Sequence, residues 1–250
     1  MSPSLLARAI GAVLSLATLG SAASAQIATG SRLDFAGTVN ATDIGAAGIV
    51  LDFVPGTFET GATSTGTFAG ITAAKGAIRG ITVGVGPIAL PNFVTVGGYR
   101  FDVSYIPVGS FGQDQCYVMP AIGQTCTPIQ SPAEHPSPFD LTNFDSGNPD
   151  APIRSVAAFH LRGTVTGPGG SSADFFGMIA TSFPTMSFQE ALQTVETTGI
   201  DGIRYTASFV VGTPTTTTPE PSTWALVASG LVVVGGVVRR RSRPATRQER

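Results

Sequence analysis

The side chains able to do chemistry are few in this chain, and most of them cluster in its second half. Cys116 and Cys126 are the only cysteines, with nine residues between them. In an oxidising compartment that spacing suits a disulfide, and closing the loop would contribute about 2.7 kcal/mol in the chain-entropy model. A metal reading of the pair is poor, because neither His135 nor His160 completes a four-ligand spacing. Asp140, Asn143, Asp145, Asn148 and Asp150 place oxygen atoms along one short stretch with Gly147 available for a turn. Such a stretch is a weak candidate for Ca²⁺, although the spacing is not that of an EF-hand and turn-forming Asp and Asn explain it without a metal. No other cofactor is expected.

Catalytic motifs are missing. There is no Gly-x-Ser-x-Gly elbow, no His-Glu-x-x-His and no phosphate loop. Gly84-Val-Gly86-Pro87 imitates a dinucleotide turn, but Pro87 and the lack of a following helix make it a plain loop. A Ser-His-Asp triad is arithmetically possible and unsupported. His160 lies between Phe159 and Leu161, where alternation sends it to the polar face, and His135 sits in a Glu-His-Pro loop. A glycan hydrolase needs two facing carboxylates, and nothing in the sequence brings Asp102, Asp174 and Glu190 together. A carbohydrate-binding module needs an aromatic platform, for which only Tyr99, Tyr105, Tyr117 and Tyr205 are on offer in the body. The chain reads as a non-enzyme.

The elements that must position these residues follow from composition. Of 250 residues 31 are glycine and only 12% are charged, a mixture that favours strands joined by tight turns. Strand patterns run over 32–39, 48–54 (ended by Pro55-Gly56), 66–72, 77–83, 99–106, 156–165, 173–180 and 203–211. They predict an all-β body, a β-sandwich or jelly roll, over residues 26–212. One short helix is expected where Ser187-Phe-Gln-Glu190 forms a capping box, with Phe188, Ala191, Leu192 and Val195 on one side and Gly199 as the stop. A β reading competes there, because 194–198 favours strand. The stretch from Pro120 to Pro138 lacks strand character.

Charge is distributed unevenly. Between residues 26 and 218 there are seven basic against fourteen acidic residues, a balance of −7. That excludes a nucleic-acid partner, which requires clustered Lys and Arg. The other seven basic residues lie at the two ends.

Residues 1–25 have the parts of a secretory signal peptide: Arg8, an apolar run from Ala9 to Gly20, and Ala23-Ser24-Ala25 before the cut. An uncleaved membrane anchor is the alternative, though the apolar run is short for a span. At the other end, 213–218 is a Thr/Pro-rich stalk, followed by Pro219-Glu220-Pro221. Trp224 to Val238 then forms an uncharged, mostly apolar stretch, closed by Arg239, Arg240, Arg241 and Arg243. As a helix 224–238 rises about 22 Å against a roughly 30 Å hydrocarbon core, so it would span with Trp224 at the interface and the arginines snorkelling on the cytoplasmic side. The two prolines hold Glu220 in extended backbone that a protease can reach.

Pro-Glu-Pro, the apolar helix and the arginine cluster, in that order over 219–243, resemble the PEP-CTERM sorting domain. The resemblance implies that an exosortase recognises the tail and that the host is a Gram-negative bacterium making exopolysaccharide or biofilm. The body would then pass through a form tethered transiently to the inner membrane before reaching the cell surface or extracellular matrix. A plain single-pass anchor is the alternative. Two functions remain open for the body: a structural, biofilm-associated surface protein contacting the exopolysaccharide matrix, or an extracellular glycan-active hydrolase or carbohydrate-binding protein.

Overall fold

The computed structural model describes residues 26–43, 48–130 and 135–212. Alternating apolar and polar residues fold into long antiparallel strands. Eight of them are β1 (Arg32–Asp43), β2 (Ile49–Thr60), β3 (Lys75–Ile78), β5 (Gly86–Val96), β6 (Tyr99–Ile106), β11 (Ile153–Thr166), β12 (Ser172–Phe183) and β13 (Ile200–Val211). Each pairs with the next in that order, and β13 returns to pair with β1, so the sheet closes into an eight-stranded barrel. The expected sandwich or jelly roll is corrected on this point. Inward alternation is the same in both architectures, and closure is decided by the pairing of β1 with β13 across the whole body.

Five short strands decorate the ring: β4 (Ile81–Val83), β7 (Thr125–Cys126), β8 (Ile129–Gln130), β9 (His135–Pro136) and β10 (Phe139–Asp145). β4 continues the edge of β2 where β3 ends. β10 runs along the first half of β11, whose second half is taken by β6, and β7 adds to β10.

The barrel's inside is filled with phenylalanine. Phe35, Phe53, Phe58, Phe93, Phe101, Phe175 and Phe209 are all buried, with Phe209 at the hub. Its ring centroid lies 5.1 Å from that of Phe175, 5.2 Å from Phe35 and 5.3 Å from Phe101. Eight strands leave an interior just wide enough for side chains to fill, and these rings fill it. Gly163 makes the fit possible on β11, since a Cβ there would lie 1.9 Å from the Asp102 carbonyl oxygen.

One end of the barrel is plugged by the helix α1 (Phe188–Thr197), as the capping box predicts. Ser187 N–H donates to Glu190 Oε2 at 2.8 Å, and Glu190 N–H donates back to Ser187 Oγ. Phe188, Ala191 and Val195 are buried against β1, β10, β11 and β13, over an apolar cavity of about 50 Å³. Thr198 caps the helix and Gly199 leaves it at φ +74°. The chain runs along β13 to the opposite end, where Gly30 N–H donates to Val211 O and Gly212 N–H donates to Asp174 O.

Four local expectations are corrected. The strand pattern at 66–72 is a 3-10 turn, Gly66–Ile71, because Phe68 folds inward under the barrel rim. Residues 77–83 break at Arg79-Gly80 into β3 and β4. Strand β2 continues through Pro55-Gly56, absorbed by a register shift opposite β1. The supposed Gly84–Pro87 loop opens the eleven-residue strand β5, whose prolines sit at register shifts against β6.

Candidate functional site

The disulfide joins Cys116 to Cys126 with their Cα atoms 5.2 Å apart. Both cysteines are buried, while the loop between them carries Tyr117 at 72% exposure.

Its base is held by Asp140, first of the five calcium candidates. On β10 the Asp140 carboxylate accepts from Ser110 N–H at 2.6 Å, Ser110 Oγ at 2.8 Å and Thr127 Oγ1 at 2.7 Å. Asn143 lies three residues on, fully buried and turned toward α1. There its Oδ1 accepts from Phe188 N–H at 2.9 Å and its amide donates to Gln189 Oε1. Asp145 Oδ1 accepts from Gly147 N–H, and Asn148 Oδ1 accepts from Asp150 N–H, the short-range bonds of Asx turns. The five residues therefore occupy a strand and a turn with separate tasks. Among the described residues no group of three or more His, Cys, Asp or Glu is arranged to hold a metal.

Of the hydrolase candidates, Asp102 and Asp174 flank one residue on the outer wall and Glu190 lies apart on the helix. Glu190 is committed to the helix cap. Asp102 and Asp174 both face outward beside Thr164, two strands apart on the convex wall. Asp102 also accepts from Asn92 N–H at 2.6 Å. His160 is exposed on the outer face, as alternation predicts. Of the tyrosines, Tyr205 is buried and Tyr99 packs edge-on against Phe68, leaving Tyr105 and Tyr117 exposed on different elements.

One polar group escapes sequence reading. Asp34 on β1 faces outward yet is only 8% exposed, because the loop after β2 folds over it. Gly61 N–H donates to the Asp34 carbonyl, and Asp34 N–H donates to Ser64 Oγ. Its Oδ1 accepts from Arg32 Nε at 2.7 Å, whereas Oδ2 has no hydrogen-bond partner among the described residues. Burial raises the carboxyl pKa, but the Arg32 bond, the hydroxyls of Thr63 and Ser208 and the Arg32 charge outweigh it, holding the group below its ordinary value. Those hydroxyls are near enough to favour the ionised form without directing a bond at Oδ2. The signal available in sequence was the alternation of Arg32-Leu33-Asp34, which sets both charges on one face.

The residues expected to direct sorting, Pro219, Glu220, Pro221, Trp224, Arg239, Arg240 and Arg241, lie outside the described residues. So do the expected signal peptide 1–25, the stalk 213–218 and the span 224–238. Among the described residues no helix is long and apolar enough to cross a membrane.

Comparison with curated proteins and with solved structures found no match to the chain. The sorting segment is another matter. Its family model begins two residues ahead of Pro219 and ends within the arginine cluster. Residues 217–242 are a PEP-CTERM protein-sorting motif, and the chain carrying it is an exported protein presented to an exosortase.

Proposed function

We propose that this chain delivers a non-enzymatic β-barrel to the surface or extracellular matrix of a Gram-negative bacterium, as a structural component of its envelope or biofilm. The observation that carries this reading is the PEP-CTERM motif at 217–242, placed after a body whose interior is packed with aromatic side chains. Among the described residues aromatic rings fill the barrel and leave an apolar cavity of about 50 Å³ under α1, and the candidate carboxylates serve a helix cap and a convex wall. The buried disulfide suits an oxidising compartment. In this reading the tail is a transient handle in the inner membrane, the exosortase is its processing partner, and the barrel is the product.

The test is expression of the full chain in its host with and without the exosortase. The expected result is loss of the C-terminal segment and release from the inner membrane only when the enzyme is present. An identical mass and an inner-membrane location in both strains would overturn the reading.

A further inference from the structure

The outer wall around Asp34 holds a feature that sorting does not use. Arg32, Asp34, Glu59, Thr63, Met178 and Ser208 line an open pocket of about 360 Å³. Asp34 contributes a side chain 11% exposed beside the Arg32 guanidinium, and its sealed Oδ2 has no hydrogen-bond partner among the described residues.

Strand register continues this pocket sideways into an exposed row. Tyr105 on β6 is opposite Arg162 on β11, Arg162 is opposite Phe176 on β12, Phe176 is opposite Val210 on β13, and Val210 is opposite Arg32 on β1. All five face outward on one band, with Phe176 at 47%, Tyr105 at 39% and Val210 at 37% exposure. The Arg162 guanidinium sits 5.3 Å from the Phe176 ring centroid, which sets its donor fork beside the ring. His160 and Met178 extend the band by one more register row. Four strand spacings make the row roughly 19 Å long.

We infer that this band binds a neutral, hydroxyl-rich glycan, anchored at Asp34 and lying across the Phe176 and Tyr105 rings. The chemistry selects that class. A sugar hydroxyl donates to the exposed edge of the Asp34 carboxylate, Arg32 and Arg162 donate to ring and hydroxyl oxygens, and the apolar face of a sugar covers exposed rings. A cation is disfavoured by the Arg32 guanidinium already on the same carboxylate. An anionic ligand meets Asp34 and Glu59 in the pocket, with Asp102 and Asp174 beside the band. The inference rests on the proposed surface location only for its compartment.

The test is affinity electrophoresis of the full chain in a polyoxyethylene detergent. The probes are cellohexaose-grafted matrix, a neutral mannan and the producing strain's own neutral polysaccharide. Retardation by at least one is expected. Asp34→Asn, which removes the charge and one of the two acceptor oxygens, and Phe176→Ala should each weaken it about tenfold or more, while Tyr117→Ala in the distant disulfide loop leaves it unchanged. Phe176 is exposed, so its variant keeps the fold even where a change at Asp34 disturbs the loop above it. No retardation by any probe, or equal retardation in the Asp34 and Phe176 variants, would overturn the inference. Neither outcome touches the sorting reading, which is measured by processing in the host.

Discussion

Tyr205 offers the sharpest test of how the barrel interior is built. The residue is 2% exposed, its ring packs edge-on against Phe53 at 4.9 Å, and its hydroxyl has no hydrogen-bond partner among the described residues. A buried hydroxyl left unpaired costs about 1–3 kcal/mol. Tyr205→Phe keeps the ring contacts and removes only that group, so the variant should be more stable by about 1–2 kcal/mol at neutral pH. In a body of this size that raises Tm by about 2–8 °C. A second signature lies in alkaline solution. Burial pushes the Tyr205 pKa well above its ordinary 10.0, so the folded chain keeps a proton that the unfolded chain gives up. Above about pH 10 the unfolded state binds fewer protons, and wild-type stability must fall as pH rises, by up to about 1.4 kcal/mol per pH unit from this group. A phenylalanine ring at that position has nothing to titrate, so the stability difference between the two proteins should widen from pH 9 to 11. Urea unfolding followed by far-ultraviolet circular dichroism measures both. A variant less stable by about 1 kcal/mol or more at neutral pH would show that the hydroxyl is satisfied, and a difference that stays flat through pH 11 would show that the phenol is not shielded; either result refutes the reasoning.

Gly163→Ala should destabilise the barrel by about 3 kcal/mol, because the added methyl meets the Asp102 carbonyl at 1.9 Å and the Phe175 ring at 2.8 Å. Gly84→Ala, with nothing within 4 Å, should stay within about 0.5 kcal/mol in the same thermal melts. Replacing Cys116 and Cys126 together by serine should cost up to about 2.7 kcal/mol while the barrel's circular dichroism is retained, since the bridge closes a loop lying off the eight-stranded ring. A loss of the β signal altogether would mean that the loop takes part in closing the barrel.

What could be read from residue order was whatever depends on near neighbours. Alternation marked the strand at 99–106 with both its ends and put His160 on the wet face, because side-chain direction in a strand repeats every two residues. Ser187 and Glu190 announced the helix because a capping box is closed by residues three apart. The cysteine pair and the tail motif were legible for the same reason of short range. Strand β10 was not, because its Asp140 and Asn143 look like turn formers until Ser110, Thr127 and Phe188 arrive from elsewhere to satisfy them. Strand β5 was hidden by Pro87 and Pro91, which a strand tolerates only where its register slips against a neighbour. Closure itself rests on β1 meeting β13 some 170 residues later, as in Phe35 opposite Ala207, and no local pattern encodes that pairing. The outward band from Tyr105 to Arg32 and the orphaned oxygen of Asp34 exist only once those distant strands lie side by side. Sequence alone determined that the protein is exported and presented to an exosortase. Tertiary structure decided which side chains share a surface, because that is a property of strand register and not of spacing along the chain.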